Sequence, residues 1–297
     1  MKKIYFNKFY KLFNIISLFL VIVSISLLLF KGLNYGVDFK GGTLIELRTN
    51  NDQISISKLR KSFMNMKLGD VSVKQFGNKN DYLIKFEKKN NNDDMILSIK
   101  KDLTKSIGSD FNFRRVESVG PKISSELLKS GILAIFLSLT AMLFYIWIRF
   151  EWQFSLGAII ALFHDVIITL GFFSLFNLEI NLSIVAAVLT IVGYSMNDTV
   201  VIYDRVRENL IKFSDIKIYD LSNTSINETL SRTIITSITT LLALVSIYIF
   251  GGEILKGFSL AMILGVIFGT YSSIFIANPV LVSLRVSQKS ILKEDKD

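Results

Sequence analysis

Long apolar stretches alternate with polar segments along this chain of 297 residues. Six stretches are long enough to cross a hydrocarbon core about 30 Å thick as helices. The first is too long for the apolar core of a typical signal peptide, so we expect it to remain as a span. The predicted spans are approximately Phe13–Phe30, Gly131–Ile148, Phe154–Phe176, Leu182–Tyr203, Thr233–Phe250 and Phe258–Leu281.

The polar segment between the first two spans has its own pattern. Alternating apolar positions predict strands, whereas Ile56, Leu59 and Phe63 have helical spacing. The order β-α-β-β-α-β is that of the ferredoxin-like motif. The predicted strands are Thr43–Arg48, Val71–Phe76, Tyr82–Phe86 and Phe111–Val116, and the predicted helices are Ile54–Met66 and Asp94–Ile107.

The pattern predicts an α-helical polytopic membrane protein with an inserted α+β domain. Lysine and arginine concentrate in the N-terminal arm, between the fourth and fifth spans, and in the tail, which places both termini in the cytoplasm. Residues 1–31 are then the arm and first span, and 32–128 the periplasmic domain. Residues 129–297 form a five-helix membrane region with a cytoplasmic tail.

Composition narrows the function classes. Half of the residues (51%) are hydrophobic, and the net charge of +9 follows from the positive loops, so it is weak evidence for nucleic acid. The absence of cysteine excludes disulfides, thiolate metal sites and cysteine nucleophiles. The outer domain has no histidine and no glycine-rich phosphate loop. We therefore expect a binding or moving part there rather than an enzyme.

Asp198 is the most informative residue, because it lies within the fourth span. A carboxylate there costs about 2.5–3.5 kcal/mol on insertion scales, so it is normally paired, buried or functional. Thr190, Tyr194, Asn197 and Asp198 share a helical face that we expect to face the bundle. The alternative is a structural hydrogen bond that holds helices together.

Arg232 begins the fifth span on the same side of the membrane. A nearby arginine favours the charged form of a carboxylate, whereas burial favours its protonated form. We hypothesise that Asp198 carries a proton and that Arg232 is its electrostatic partner. Protons are then the coupling ion, and no other cofactor is expected. The alternative for Arg232 is a topology or lipid anchor.

His164 and Asp165 lie in the third span, and Asp165 is roughly 16 Å from the start of its helix. Gly157, Ala161, Asp165 and Thr169 share a face of small and polar residues. Histidine titrates close to neutral pH, which suits a proton relay. The two side chains point about 100° apart on a helix, so both need not line one path. Structural roles stay open for both.

The sixth span carries small residues at every fourth position, including Gly265 and Gly269. Such a seam lets another helix approach closely, within this chain or in a partner. Pro279 follows the seam and is expected to kink or end the helix.

Three motifs resemble the SecD/SecF family of protein-export subunits. The first runs from Gly36 through Asp38, Gly41 and Gly42 to Thr43, and the second ends in Gly120-Pro121. The third, Gly193–Asn209, is similar to the fourth span of the SecF branch, with its aspartate at 198 rather than 197.

This resemblance implies an architecture like that of resistance-nodulation-division transporters in the bacterial inner membrane. It implies SecD as a partner beside the SecYEG translocon, with YajC-type and YidC-type subunits, membrane lipid and the translocating polypeptide, and no nucleic acid. The pair would use the proton gradient to promote late translocation. We hypothesise that Gly36 to Gly42 and Gly120-Pro121 are hinges that bracket the outer domain.

Three other functions are alternatives to export driven by protons. The chain could be a scaffold that stabilises SecD and the translocon and moves no proton. An intramembrane aspartyl protease would need Gly-x-Gly-Asp on a span beside Tyr203-Asp204, and no such tetrapeptide exists. A small-molecule transporter fits poorly, because the outer domain is small and the chain is half of such an architecture.

Overall fold

A computed structural model describes residues 4–49, 54–66, 68–75, 80–87, 93–108, 111–213 and 216–288. The chain forms two compact units. One contains residues up to 34, 133–178 and from 183 onwards, and we call it the membrane unit. The other contains Tyr35–Ile132 and Glu179–Leu182, and we call it the outer unit.

Among the described residues, six helical segments are long and apolar enough to cross a membrane, as predicted. The first five contain the helices α1 (Tyr10–Phe30), α5 (Pro121–Arg149), α6 (Trp152–Leu175), α7 (Leu182–Lys212) and α8 (Ile218–Phe250). The sixth is broken into α9 (Gly252–Ser272), a π-helical turn (Ser273–Ala277) and α10 (Asn278–Ser283).

The break in the sixth segment has a local cause. Pro279 lies at the start of α10, and its ring nitrogen has no hydrogen to donate to the preceding turn. The wider π turn comes directly before it and ends at Ala277. The backbone thus adjusts to the missing hydrogen bond by a π insertion, which is a recognised cause of helix bends.

Three helical segments have ends that differ markedly from the prediction. α5 begins at Pro121 rather than Gly131, α7 continues to Lys212, and α8 begins at Ile218. These extensions contain many polar residues, so an apolar window does not detect them. Glycine at 120 and proline at the first helical position fit the start of α5.

The core of the membrane unit lies between α6, α7 and the broken sixth segment, which are about half buried or more, whereas α1, α5 and α8 expose most of their surface. The rings of Phe154 and Tyr203 meet edge to face at 5.1 Å. The Tyr203 hydroxyl donates to the carbonyl oxygen of Ala277 at 3.0 Å. These contacts join all three elements at one level.

The outer unit contains four strands and two helices in the predicted order β-α-β-β-α-β. All neighbouring strands are antiparallel, and their order in the sheet is β3 (Val71–Gln75), β4 (Asp81–Phe86), β2 (Gly42–Thr49) and β5 (Phe111–Val119). This is consistent with the ferredoxin-like motif. The helices are α3 (Ile56–Asn65) and α4 (Asp93–Ile107).

One face of this sheet forms an apolar core with α3 and α4. Ile45, Ile84, Leu59 and Leu103 are fully buried there. The opposite face carries charged pairs, among them Arg48 with Asp81 at 2.5 Å. Hydrogen bonding to Asp81 raises the pKa of the Arg48 guanidinium.

Three short elements complete the outer region of the chain. The strands β1 (Asn34–Tyr35) and β6 (Glu179–Ile180) form a two-stranded sheet. The one-turn helix α2 (Val37–Lys40) follows β1. β6 lies in the short connection between α6 and α7, where no strand was predicted.

Candidate functional site

Asp198 lies near the middle of α7 and its side chain is buried among helices, with 4% of the residue exposed. The Thr270 hydroxyl of α9 donates to its Oδ2 at 3.3 Å. The Ser237 hydroxyl of α8 lies 2.7 Å from that of Thr270 and also reaches the carboxylate. Three helices therefore meet at Asp198 through hydroxyl groups.

Arg232 is exposed on α8 and lies near enough for its positive charge to favour the Asp198 carboxylate, but no direct ion pair joins the two described side chains. The hydroxyl of Thr236 donates to the carbonyl oxygens of Arg232 and Thr233, so it serves its own helix. The arrangement leaves Arg232 free to influence the carboxylate from a distance.

The expectation that the whole polar face of α7 points into the bundle is wrong for the chain on its own. Thr190 and Asn197 are exposed, and Tyr194 is only partly buried, with its hydroxyl 3.4 Å from the carbonyl oxygen of Thr236. The physical reason is that consecutive residues of a helix point about 100° apart. Asn197 therefore faces outward while Asp198 faces inward.

Asp165 forms a second, more tightly bonded centre and is fully buried on α6. Its Oδ2 accepts hydrogen bonds from Ser195 of α7 at 2.5 Å and from Ser272 of α9 at 2.7 Å. Its Oδ1 lies 2.8 Å from His164 Nδ1. The structure thus brings together two neighbouring side chains that sequence reasoning allowed to point apart.

His164 is buried, and its Nε2 has no hydrogen-bond partner among the described residues. Its ring stacks on that of Tyr271 with centroids 5.9 Å apart. The residue also lines a cavity of about 450 Å³ between α1, α6 and the end of the sixth segment. One ring nitrogen is therefore committed to Asp165 and the other is not.

The carboxylates of Asp198 and Asp165 both contact the same short segment of α9. Thr270 contacts Asp198 and Ser272 contacts Asp165, and the π turn follows at Ser273. Ser195 and Asp198 lie within one turn of each other on α7. A change in the hydrogen bonds of either carboxylate therefore affects both α7 and α9.

Gly265 and Gly269 place α9 directly against α7. A Cβ at Gly265 would overlap the side chain of Ile191, and one at Gly269 would lie 3.0 Å from Ser195. Ala261, in the same seam, is fully buried. This close approach allows the short hydroxyl groups of α9 to reach both carboxylates.

The glycines of the first motif have structural reasons of their own. Gly42 has φ +130°, and a Cβ there would lie 2.6 Å from the carbonyl oxygen of Phe86. Gly41 has φ +79° and packs near Ser124. A Cβ at Gly120 would meet no atom within 4 Å, and the carbonyl oxygen of Gly120 accepts a hydrogen bond from the backbone nitrogen of Ser124 at 2.9 Å. The hinge role stays a prediction.

Several functional candidates were missed by sequence reasoning. Hydroxyl residues in helices give no distinctive pattern, so Ser195, Ser237, Thr270 and Ser272 were not singled out as contacts of the carboxylates. Charged residues near the ends of the helices form pairs that spacing alone does not reveal. These pairs are Arg149 with Asp204 at 2.6 Å, Arg207 with the buried Glu151 at 3.4 Å, and Arg205 with Glu228 at 2.7 Å.

Residues 99–287 match the family described as protein export membrane protein SecD/SecF, C-terminal. Residues 26–53 match the SecD/SecF GG motif.

Similar proteins called protein translocase subunit SecF occur in several bacteria. The one from Rickettsia bellii (strain OSU 85-389) is 44% identical over 93% of this chain and 91% of its own length. The protein from Cereibacter sphaeroides is 42% identical over 94% of this chain and 89% of its own length. The protein from Calditerrivibrio nitroreducens is 44% identical over 94% of this chain and 93% of its own length.

Two solved structures of SecDF are also similar. The translocon-associated SecDF of Thermus thermophilus is 34% identical with a TM-score of 0.84, over 95% of this chain. SecDF in a super-membrane-facing form is 32% identical with a TM-score of 0.72, over 100% of this chain. This chain spans only 38% and 40% of those two chains. By family, sequence and fold, the chain belongs to the SecF branch of the SecD/SecF protein-export membrane proteins.

Proposed function

We propose that the chain is an accessory subunit of the Sec export machinery that acts with SecD beside SecYEG. It promotes late translocation of polypeptides at the expense of the proton gradient, without enzymatic chemistry and with protons as the coupling ion. It is a multi-pass protein of the bacterial inner membrane, with both termini in the cytoplasm. YajC-type and YidC-type subunits are further partners in this proposal.

The observation that carries the proposal is the environment of Asp198. Its carboxylate is buried on the helix of a candidate span, accepts a long hydrogen bond of 3.3 Å from Thr270, and lies near the positive charge of Arg232 without pairing with it directly. A carboxylate inside a membrane is a functional candidate by default. Here neither its charged nor its neutral form is fully satisfied, so a small helix movement can shift the balance between them.

The energy of such a step is modest. One charge that crosses about 100 mV releases about 2.3 kcal/mol. That amount biases a motion between two states separated by a few kcal/mol. The free energy of unfolding of a folded domain is larger, about 5–15 kcal/mol. Several proton-driven cycles would therefore be needed to pull a folded polypeptide.

The surroundings of Asp204 argue against the alternative that this chain is an intramembrane aspartyl protease. Asp204 lies less than two turns from Asp198 on α7, but its carboxylate is exposed and pairs with Arg149 at 2.6 Å. A solvated, paired carboxylate is a poor counterpart for a buried catalytic aspartate. The protease alternative therefore gains no support from the geometry.

The second candidate function is a scaffold that moves no proton. The observation in its favour is the three-helix junction at Asp165, where hydroxyl donors join α6, α7 and α9. Polar side chains of this kind hold membrane helices together.

The deciding experiment measures export into vesicles with and without a proton gradient, with SecD co-expressed. Asp198→Asn should reduce export to the level seen without a gradient and should still co-purify with SecD. Asp204→Asn is the matched control, since it removes a carboxylate from the same helix, and it should keep the stimulation. Stimulation that persists in Asp198→Asn would favour the scaffold.

A further inference from the structure

Residues Glu179–Leu182 lie between two membrane spans in the sequence, yet they belong to the outer unit. They follow α6 and include Leu182, the first residue of α7. We call this segment the 179–182 linker. It is therefore the point at which the helix that carries Asp198 begins.

The first contact of the linker is made by Asp38 of the glycine-rich motif. Its Oδ2 accepts a hydrogen bond from the backbone nitrogen of Leu182 at 2.9 Å. The first backbone N–H groups of a helix have no partner within the helix, and a carboxylate there also meets the positive end of the helix dipole. Asp38 thus caps α7 from a distant part of the sequence.

The second contact is made by the backbone. The nitrogen of Gly36 donates to the carbonyl oxygen of Ile180 at 2.8 Å, in the two-stranded sheet of β1 and β6. A Cβ at position 36 would overlap the carboxylate of Glu179. A larger residue at position 36 would therefore push the flexible Glu179 side chain aside.

The third contact is an ion pair between Glu179 and Lys85, which lies on β4 of the four-stranded sheet. The two side chains are 26% and 18% exposed, so the pair is largely shielded from solvent. It connects the linker to the centre of the sheet rather than to its edge, since β4 lies between β3 and β2.

We propose that the 179–182 linker is a clamp that holds Leu182, the first residue of α7, through contacts within the outer unit, with Asp38 and Lys85 as positioning residues. This inference rests on the proposed function. α7 is continuous from Leu182 to Lys212, so Asp198 is about 24 Å along the same helix from the clamp. A displacement of α7 that follows protonation of Asp198 then acts first on Leu182 and on its hydrogen bond to Asp38. The motif around Asp38 serves as an attachment point rather than as a free hinge.

A charge exchange tests the clamp in the full chain with SecD. Lys85→Glu and Glu179→Lys should each lose most of the gradient-dependent stimulation of export, and the double variant should regain most of it. Export without a gradient and co-purification with SecD should not change in any of the three. A merely structural pair would alter those two readouts as well.

The matched control is Glu117→Lys, which makes the same charge change on β5. It breaks an ion pair with Arg115 that does not involve the linker. It should keep full stimulation. Hydrogen exchange of residues 180–186 in the purified complex gives a second readout: exchange should quicken in both single variants and return to the wild-type rate in the double variant.

The outcomes separate the two proposals. If Asp198→Asn abolishes stimulation but the double variant shows no rescue, the clamp is wrong and the proton-driven function stands. The clamp is also wrong if both single variants behave as wild type. If Asp198→Asn keeps its stimulation, the proposed function itself fails, whatever the charge exchange shows.

Discussion

The two buried carboxylates of the membrane unit differ in how completely they are bonded. Asp165 has three partners at 2.5–2.8 Å, whereas Asp198 has one hydroxyl donor at 3.3 Å and a second within reach. A buried polar group that is fully bonded resists change, because breaking its contacts leaves several groups unpaired. Asp198 is therefore the better candidate for a proton that comes and goes, and Asp165 the better candidate for a fixed junction.

His164 provides a test of that junction. An asparagine amide can replace the Nδ1 donor to Asp165, whereas leucine cannot. We expect His164→Leu to lower the stability of the purified chain by about 1–3 kcal/mol, the cost of leaving a buried partner unbonded. His164→Asn should lose less. The measurement is the thermal melting of both variants in detergent.

The same two variants separate a bonding role from a relay role. If His164 only positions Asp165, the asparagine variant should retain gradient-dependent export, since asparagine keeps the donor but does not titrate. If the asparagine variant melts like wild type yet loses stimulation, the imidazole itself is part of the proton path. Equal stability of the leucine and wild-type chains would contradict the junction.

Single residues could be predicted only where their chemistry is costly in a membrane. Asp198, Asp165 and His164 stand out, because charged or titratable side chains are rare in apolar spans. Their serine and threonine partners do not stand out, since such residues commonly bond to their own helix, as Thr190 does with Ala186. Identifying them required the helix contacts.

At the scale of elements, the contact of α7 with α9 controls how closely hydroxyl donors approach the carboxylates. Gly265 is the tightest point that we can test, because a Cβ there would overlap Ile191. We expect Gly265→Ala to cost about 1–3 kcal/mol, as overpacking of a well-packed interior does. Thermal melting of the purified chain in detergent is the measurement.

The control for this prediction lies on the partner helix. Gly193 of α7 is exposed and has open space around it. Gly193→Ala should therefore be neutral or stabilise the chain by up to about 1 kcal/mol through helix propensity. Shortening the facing side chain with Ile191→Val should recover part of the loss in Gly265→Ala. An alanine at 265 without cost would show that α9 can move away from α7.

The helices could be predicted from long apolar runs, and the outer strands from their alternation. β6 could not, because a two-residue strand has no periodicity to detect. The start of α8 at Ile218 was also missed, since Asp220, Asn223 and Glu228 interrupt any apolar window. The elements missed are thus those held by contacts distant in sequence or placed outside the apolar core.

At the scale of the whole molecule, the chain exposes polar side chains on two of its long apolar helices. Thr190 and Asn197 of α7 and Arg232 of α8 are exposed in the chain on its own. Polar side chains within membrane spans usually face protein or a water-filled cavity. This pattern fits a partner that covers α7 and α8, and SecD is the partner that we propose.

Cross-linking would test that arrangement directly. A photoreactive amino acid at position 197 should form an adduct with co-expressed SecD, because Asn197 would lie in the shared interface. The same group at position 137, in place of the exposed Leu137 of α5, should react with lipid instead. Both variants should insert normally, since both sites are exposed in the single chain.

A lipid adduct alone from position 197, with SecD present and co-purifying, would place the partner on another face and leave Arg232 as a lipid-facing anchor. An adduct with SecD from 197 but not from 137 would put the Asp198 centre at the subunit boundary, where movement of one subunit against the other can alter its access to protons.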